Sequence, residues 1–148
     1  MSQALRISTE RDELDIDLIH AFLSTTYWAR GIPRAVVERA IAGSLCFGGY
    51  LGDRQVAFAR VITDGATFGY LSDVFVLPEH RGRGYARALV AAVLAHPDLQ
   101  GLRRLMLATR DAHAHALYAG FGFAAPAKPE MLMERLDPDI YSRTSPES

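Results

Sequence analysis

The sequence has a single cysteine, Cys46, so no internal disulfide can form and stability must come from packing. It is also short of lysine: fifteen of its sixteen basic residues are arginine and Lys128 is the exception, a bias that runs along the whole chain. No excess of either charge exists, since sixteen basic residues face seventeen acidic ones for a net charge of -1. Duplex binding leans on many cationic contacts to phosphate, so a nucleic-acid surface is not expected and any basic site must be local. Long apolar runs are missing as well. The longest, Ala88 to Ala95, has eight residues, far below the roughly 20 of a membrane-spanning helix, so no membrane role is expected. The opening "MSQALRISTERDE" has no apolar core of signal-peptide length, and with the cysteine count this gives a cytoplasmic expectation.

What remains is the balance of a globular protein, 49% hydrophobic and 22% charged over 148 residues, enough for one core without metals. No repeat or linker divides it. Residues 1–136 read as one domain, and residues 137–148, "DPDIYSRTSPES", as a polar C-terminal tail.

Periodicity orders the elements. "QALRIST" is a short candidate strand. Asp15 then caps a helix with Ile16, Ile19 and Leu23 on one side, and Pro33 opens a second helix carrying Val36, Val37, Ala40 and Ile41. "LCFGGYL", "VAFARVIT" and "TFGYLSDVFVL", separated by turns at Gly52-Asp53 and Asp64-Gly65, predict a three-stranded antiparallel meander. From Gly84 the period changes: Ala86, Leu89, Val90, Val93 and Leu94 define an amphipathic helix ended by His96-Pro97. "RRLMLAT" is a further strand, Asp111 caps a helix with Ala114, Leu117 and Tyr118 inward, and "GFGF" with "EMLMERL" suggests a closing strand pair. The order βααβββαβαββ describes an α/β (α+β) domain: a mixed, mostly antiparallel central sheet flanked by about four helices.

The stretch "PEHRGRGYARAL" carries the most chemistry. Gly82 and Gly84 let the backbone approach a ligand, and the following helix aims free N–H groups and a positive dipole end outward, an anion cradle suited to phosphate. A Walker loop needs a Lys and a hydroxyl residue that are absent here. A Rossmann fingerprint needs a third glycine where Arg87 stands. Taken alone, such a stretch also reads as a solvated turn.

Its neighbours add a resemblance. Arg81-x-x-Gly84-x-Ala86, between a strand and the strongest helix, resembles the acetyl-CoA-binding signature of the GNAT superfamily, the GCN5-related N-acetyltransferases, which is Gln/Arg-x-x-Gly-x-Gly/Ala. Downstream, Asp111-x-x-Ala114-x-x-Leu117-Tyr118-x-x-x-Gly122-Phe123 is similar to that family's Asn-x-x-Ala-x-x-Leu-Tyr-x-x-x-Gly-Phe stretch. The likeness is sharp from about Tyr70 to Phe123 and carried elsewhere by the order of elements.

The resemblance implies that acetyl-CoA is the co-substrate. Its pyrophosphate would lie on the backbone of Arg81, Gly82, Arg83, Gly84, Tyr85 and Ala86, with Arg87 at the edge, and its pantetheine arm would pair with Val74, Phe75 and Val76. Asp111 and Ala114 fall at cofactor-contacting positions, although Asp111 replaces an amide and its charge would oppose an anionic ligand. Tyr118 matches the tyrosine that protonates the departing thiolate; ordinary core packing is the competing reading. Asp73 is the candidate for a base or for binding the substrate ammonium, set against a role in capping strand backbone. Ser72 stands where diamine acetyltransferases carry a glutamate, so their base is not transferable. Tyr27 and Trp28 are candidates for a substrate-pocket wall.

His113 and His115, two apart on a helix, face different ways, so no metal site is expected. Cys46 on an apolar strand reads as a small core residue, not an acyl-carrying nucleophile. The leading expectation is an N-acetyltransferase moving an acetyl group to the primary amine of a small molecule, by direct attack through a tetrahedral intermediate. A non-catalytic acyl-CoA-binding or regulatory module and a peptide or protein N-acetyltransferase stay open, and the resemblance leaves room for a homodimer.

Overall fold

The computed structural model of the chain describes residues 4–143. Its elements run β1 (Arg6–Ser8), α1 (Ile16–Leu23), α2 (Arg34–Ala42), β2 (Leu45–Leu51), β3 (Arg54–Thr63), β4 (Phe68–Val76), α3 (Tyr85–Ala95), β5 (Arg104–Met106), α4 (Ala112–Ala119) and a short α5 (Ile140–Arg143). Five strands form one sheet in sequence order, antiparallel from β1 to β4, with β5 parallel to β4. This is the mixed, mostly antiparallel α/β domain the sequence predicts. No helix among the described residues is long and apolar enough to cross a membrane.

Parallel neighbours need a crossover, and α3 supplies it by burying Leu89, Val90 and Val93 completely. The β2–β4 meander brings Phe47, Val56, Phe58 and Val61 into the same core, each at most 1% exposed. From α1, Phe22 stacks on Phe75 of β4 with ring centroids 4.1 Å apart, which ties the N-terminal helices to the centre of the sheet. The Asp15 carboxylate caps α1 as expected, accepting from the Leu18 N–H, while the amide oxygen of buried Gln55 accepts from the Asp15 N–H.

Two irregularities shape the sheet. Opposite β3, Phe75 pairs with Phe58 and Ser72 with Arg60, so Asp73 and Val74 of β4 face the single residue Ala59. That is a β-bulge, and Asp73 sits in it at φ 55°, the one non-glycine residue with positive φ among those described. Beyond the bulge β4 stays paired with β3 through Phe75 and Val76 but has no partner among the described residues on its other side. It is paired with β5 only over Phe68–Tyr70 against Arg104–Met106, so the strands part into a wedge from Leu71 to Val76.

The expected closing strand pair does not form. "GFGF" instead terminates α4: the Phe123 N–H donates to the Tyr118 carbonyl, and Gly122 takes φ 93°, a conformation that stops a helix and that glycine adopts without strain. In "EMLMERL", a single 3-10 turn over Pro129–Met131 gives way to exposed chain with no strand partner. Of the stretch read as a tail, residues 144–148 lie outside the described residues. Within it, α5 packs half-buried Tyr141 against the core, near Gly31.

Candidate active site

At the end of β4, a 3-10 turn over Pro78–His80 delivers the chain into "RGRG". The Arg81 guanidinium does not face outward as a ligand contact; its Nε donates to the Val76 carbonyl at 2.9 Å and pins the loop to the strand. Gly84 is the N-cap of α3 at φ 81°, and no side chain caps the helix. The first helical backbone bond of α3 runs from Ala88 N–H to the Gly84 carbonyl at 3.0 Å, so the N–H groups of Ala86 and Arg87 are left over at the helix mouth. Among the described residues, a Cβ placed on Gly82 or Gly84 would meet nothing within 4 Å, which leaves room for a ligand beside these N–H groups. Geometry and partial charge fit a phosphate there.

The Tyr118 segment comes to the same end of the sheet. Arg87 of α3 lies over the Phe121 ring at 5.8 Å, and Tyr118 packs edge-on against Phe123 at 5.8 Å. Tyr118 is 8% exposed, its hydroxyl has no hydrogen-bond partner among the described residues, and burial pushes its pKa up. The phenol therefore stays protonated at neutral pH, the form a proton donor needs. Asp111 caps α4 by accepting from the His113 N–H at 2.9 Å, and Ala114 packs against the core. The expected arm-binding residues Val74, Phe75 and Val76 lie along the wedge, on the stretch of β4 that β5 does not reach, with the Val76 carbonyl taken by Arg81.

Asp73 sits at the centre of a network. Its Oδ1 accepts from the Trp28 indole N–H at 2.7 Å, and its Oδ2 accepts from Arg60 Nε at 2.5 Å. The two charged side chains are 6% and 15% exposed, so this is a buried ion pair. Arg60 continues to the Ser44 hydroxyl at 2.9 Å. In the other direction, Trp28 meets Tyr27 edge-on at 5.0 Å, and the Arg110 guanidinium lies 3.7 Å above the Tyr27 ring. The Arg110 N–H also donates to the Tyr27 hydroxyl at 3.4 Å. The structure thus joins the α1–α2 loop, the β4 bulge and the β5–α4 loop into one wall. Tyr27 and Trp28 are each almost half exposed on it. Tyr70 stands nearby, its phenol pKa raised first by burial and then by the charges of Asp73, Tyr27 and Glu134.

Sequence reasoning named Asp73, Tyr27 and Trp28 but missed Arg60 and Arg110. For Arg60 the signal was present, a lone cation inside the apolar alternation of "VAFARVIT". Cys46 is 2% exposed with its thiol pushed up to about 11 by burial, which makes it a core residue and not a nucleophile. His115 Nε2 is spent on the Thr109 carbonyl at 2.8 Å.

An open glycine loop feeding a helix, beside a parallel strand pair that parts after a few residues, with a buried tyrosine on the next helix, is the layout of an acyl-transfer domain. The chain belongs to the acetyltransferase (GNAT) family, whose model matches residues 11–123. A Gibberella zeae protein provisionally named as an acetyltransferase is 38% identical over 128 residues, 71% of each chain. A crystal structure from Xanthomonas campestris pv. campestris, provisionally assigned to the GNAT acetyltransferases, is 62% identical with a TM-score of 0.91, covering 95% of this chain and 98% of that one. More remote, AAC(6')-Iy in complex with a CoA-containing bisubstrate analogue shares the fold at a TM-score of 0.63 and 19% identity, covering 91% of this chain and 96% of that one.

Proposed function

We propose that the protein transfers an acetyl group from acetyl-CoA to a primary amine on a small molecule. The observation that carries this reading is the convergence, at one end of the sheet, of the open Gly82–Gly84 cradle, the β4–β5 wedge and the buried Tyr118 phenol. Acetyl-CoA supplies the activated thioester.

The backbone from Arg81 to Ala86, with Arg87 at its edge, holds the pyrophosphate, and the open edge of Val74, Phe75 and Val76 pairs with the pantetheine arm. A backbone N–H of that edge polarises the acetyl carbonyl as charge develops on its oxygen. Asp111 is engaged as the cap of α4, the helix that carries Tyr118.

Asp73 orients the acceptor. Its oxygens already hold an indole N–H and a guanidinium, so it fixes Trp28 as the pocket wall and presents residual negative charge to the incoming ammonium. Tyr27 and Trp28 cover the apolar or cationic body of the amine. The deprotonated nitrogen attacks the carbonyl carbon, the carbon–sulfur bond breaks, and Tyr118 gives its proton to the departing thiolate. The amine's own proton leaves to water at the exposed mouth of the pocket. A net charge of -1 favours a small molecule over a basic protein tail.

The test is to mix purified protein and acetyl-CoA with a panel of small amines and follow free thiol. Amine-dependent release with product gaining one acetyl group is expected. Thermal stabilisation by acetyl-CoA without release for any amine would identify a binding module instead, and release only with peptides would reassign the acceptor.

A further inference from the structure

The acceptor wall holds two cations, Arg60 and Arg110, and only one of them is neutralised. Arg60 is paired with Asp73 at 2.5 Å, so that couple adds no net charge to the wall. Arg110 enters no ion pair among the described residues, and its side-chain N–H groups donate to nothing there.

What holds Arg110 is a ring. Its guanidinium carbon lies 3.7 Å from the Tyr27 centroid, and its backbone N–H donates to the Tyr27 hydroxyl at 3.4 Å. At that height the guanidinium must lie flat, because a nitrogen turned toward the ring would clash with it. Its face is therefore occupied and its in-plane N–H fork is free, on an exposed side chain beside half-exposed Tyr27 and Trp28. Stacking also fixes the fork in advance, which lowers the ordering cost of gripping an anion. The opposite sign gathers farther along the same wall. Asp73 and Glu134 both act on the Tyr70 phenol, and Glu134 enters no ion pair among the described residues.

We propose that the acceptor amine carries a carboxylate of its own, an amino-acid-like zwitterion, with the carboxylate gripped by the Arg110 fork and the amine lying toward Asp73. This rests on the acetyl-transfer reading above and narrows its acceptor. The contacts that join Arg110 to Tyr27, Trp28 and Asp73 make one continuous surface with a cation at one end and carboxylates at the other. One guanidinium balances a single negative charge, and its parallel N–H groups match the two oxygens of a carboxylate. A dianionic phosphate would leave a negative charge unbalanced beside Asp73.

The experiment compares protein amino acids and ω-amino carboxylates, each beside its amide, which keeps the amine and removes the charge. In each productive pair the carboxylate should be preferred about tenfold or more in kcat/KM, mainly through KM. An α-amino amide is the weaker base and more of it is unprotonated at neutral pH, so such a preference cannot come from a readier nucleophile. Arg110→Gln should bring the preference to within about twofold, Arg110→Lys should keep part of it, and Arg110→Glu should reverse it toward the amide. Trp28 is the sequence's one tryptophan, so its emission in the presence of CoA reports acceptor binding without turnover. Binding that follows the carboxylate and Arg110 with no thiol release would support the zwitterion site and remove the transferase reading. Turnover with equal use of acid and amide, or a preference that survives Arg110→Gln, would overturn the zwitterion site and leave the transferase standing. Stronger use of 2-aminoethyl phosphate than of any amino carboxylate would overturn it too, as would loss of acetyl-CoA affinity in Arg110→Gln. Neither turnover nor a change in emission with any pair would overturn both.

Discussion

Removing one partner from the Arg60–Asp73 pair is the perturbation with the most readable outcome. Arg60→Met keeps much of the side-chain volume and leaves the Asp73 carboxylate charged, 6% exposed and held only by the Trp28 indole. Breaking a buried pair in this way costs about 3–5 kcal/mol, because an uncompensated charge stays in a medium that solvates it poorly. At about 2–4 °C per kcal/mol for a chain of this size, the midpoint of thermal unfolding should fall by about 6–20 °C. Adding Asp73→Asn removes the orphaned charge. Asparagine also tolerates the φ of 55° at the bulge and can still accept from Trp28, so the double variant should recover most of the loss. Calorimetry on the four proteins of this cycle measures the coupling, and amine KM follows the same order because Trp28 hangs on Asp73. A fall below about 2 °C for Arg60→Met, with KM unchanged, would refute the claim that this pair holds the acceptor wall.

Other outcomes follow from the same geometry. Tyr118→Phe should lower kcat by about a hundredfold or more while leaving acetyl-CoA affinity intact, as read by steady-state kinetics and calorimetric titration. Gly84→Val should weaken acetyl-CoA binding by about tenfold or more, since φ 81° strains a β-branched residue and the side chain enters the open cradle. Burial moves the Cys46 thiol from 9.0 to about 11, so the neutral thiol favours the fold below pH 9. The unfolded chain loses that proton first as pH rises, and about 3 kcal/mol of stability should drain away between pH 9 and 11. Denaturant titrations across that range should show the decline, and Cys46→Ala should remove the part that begins at pH 9, below the range where the buried tyrosines titrate.

Much of the site was legible because it is local. The change of period at Gly84 announces α3, and a helix start after two glycines already implies the N–H cradle that the structure shows. Asp111 and Asp15 cap helices as their side chains suggest. The wall was only half legible. Its contacts join residues 45 and 83 positions apart, Trp28 to Asp73 and Tyr27 to Arg110, and no periodicity encodes such pairings. The bulge was hidden for another reason. In "YLSDVFV" nothing but the unusual carboxylate distinguishes the residue that turns to positive φ from its extended neighbours. "EMLMERL" has the composition of a strand, but a strand needs a partner to pair with, and among the described residues this segment has none.

The loop's backbone, not its arginines, is the central claim, and Arg81 already spends its Nε on the Val76 carbonyl. Calorimetric titration with acetyl-CoA and with acetyl-pantetheine, which keeps the thioester and arm but lacks the pyrophosphate, tests it most directly. Acetyl-CoA should bind at least about a hundredfold more tightly, and Arg83→Ala should leave that ratio within about threefold, because charge-assisted bonds to several backbone N–H groups exceed one exposed cation. Equal affinity for the two ligands would contradict the cradle.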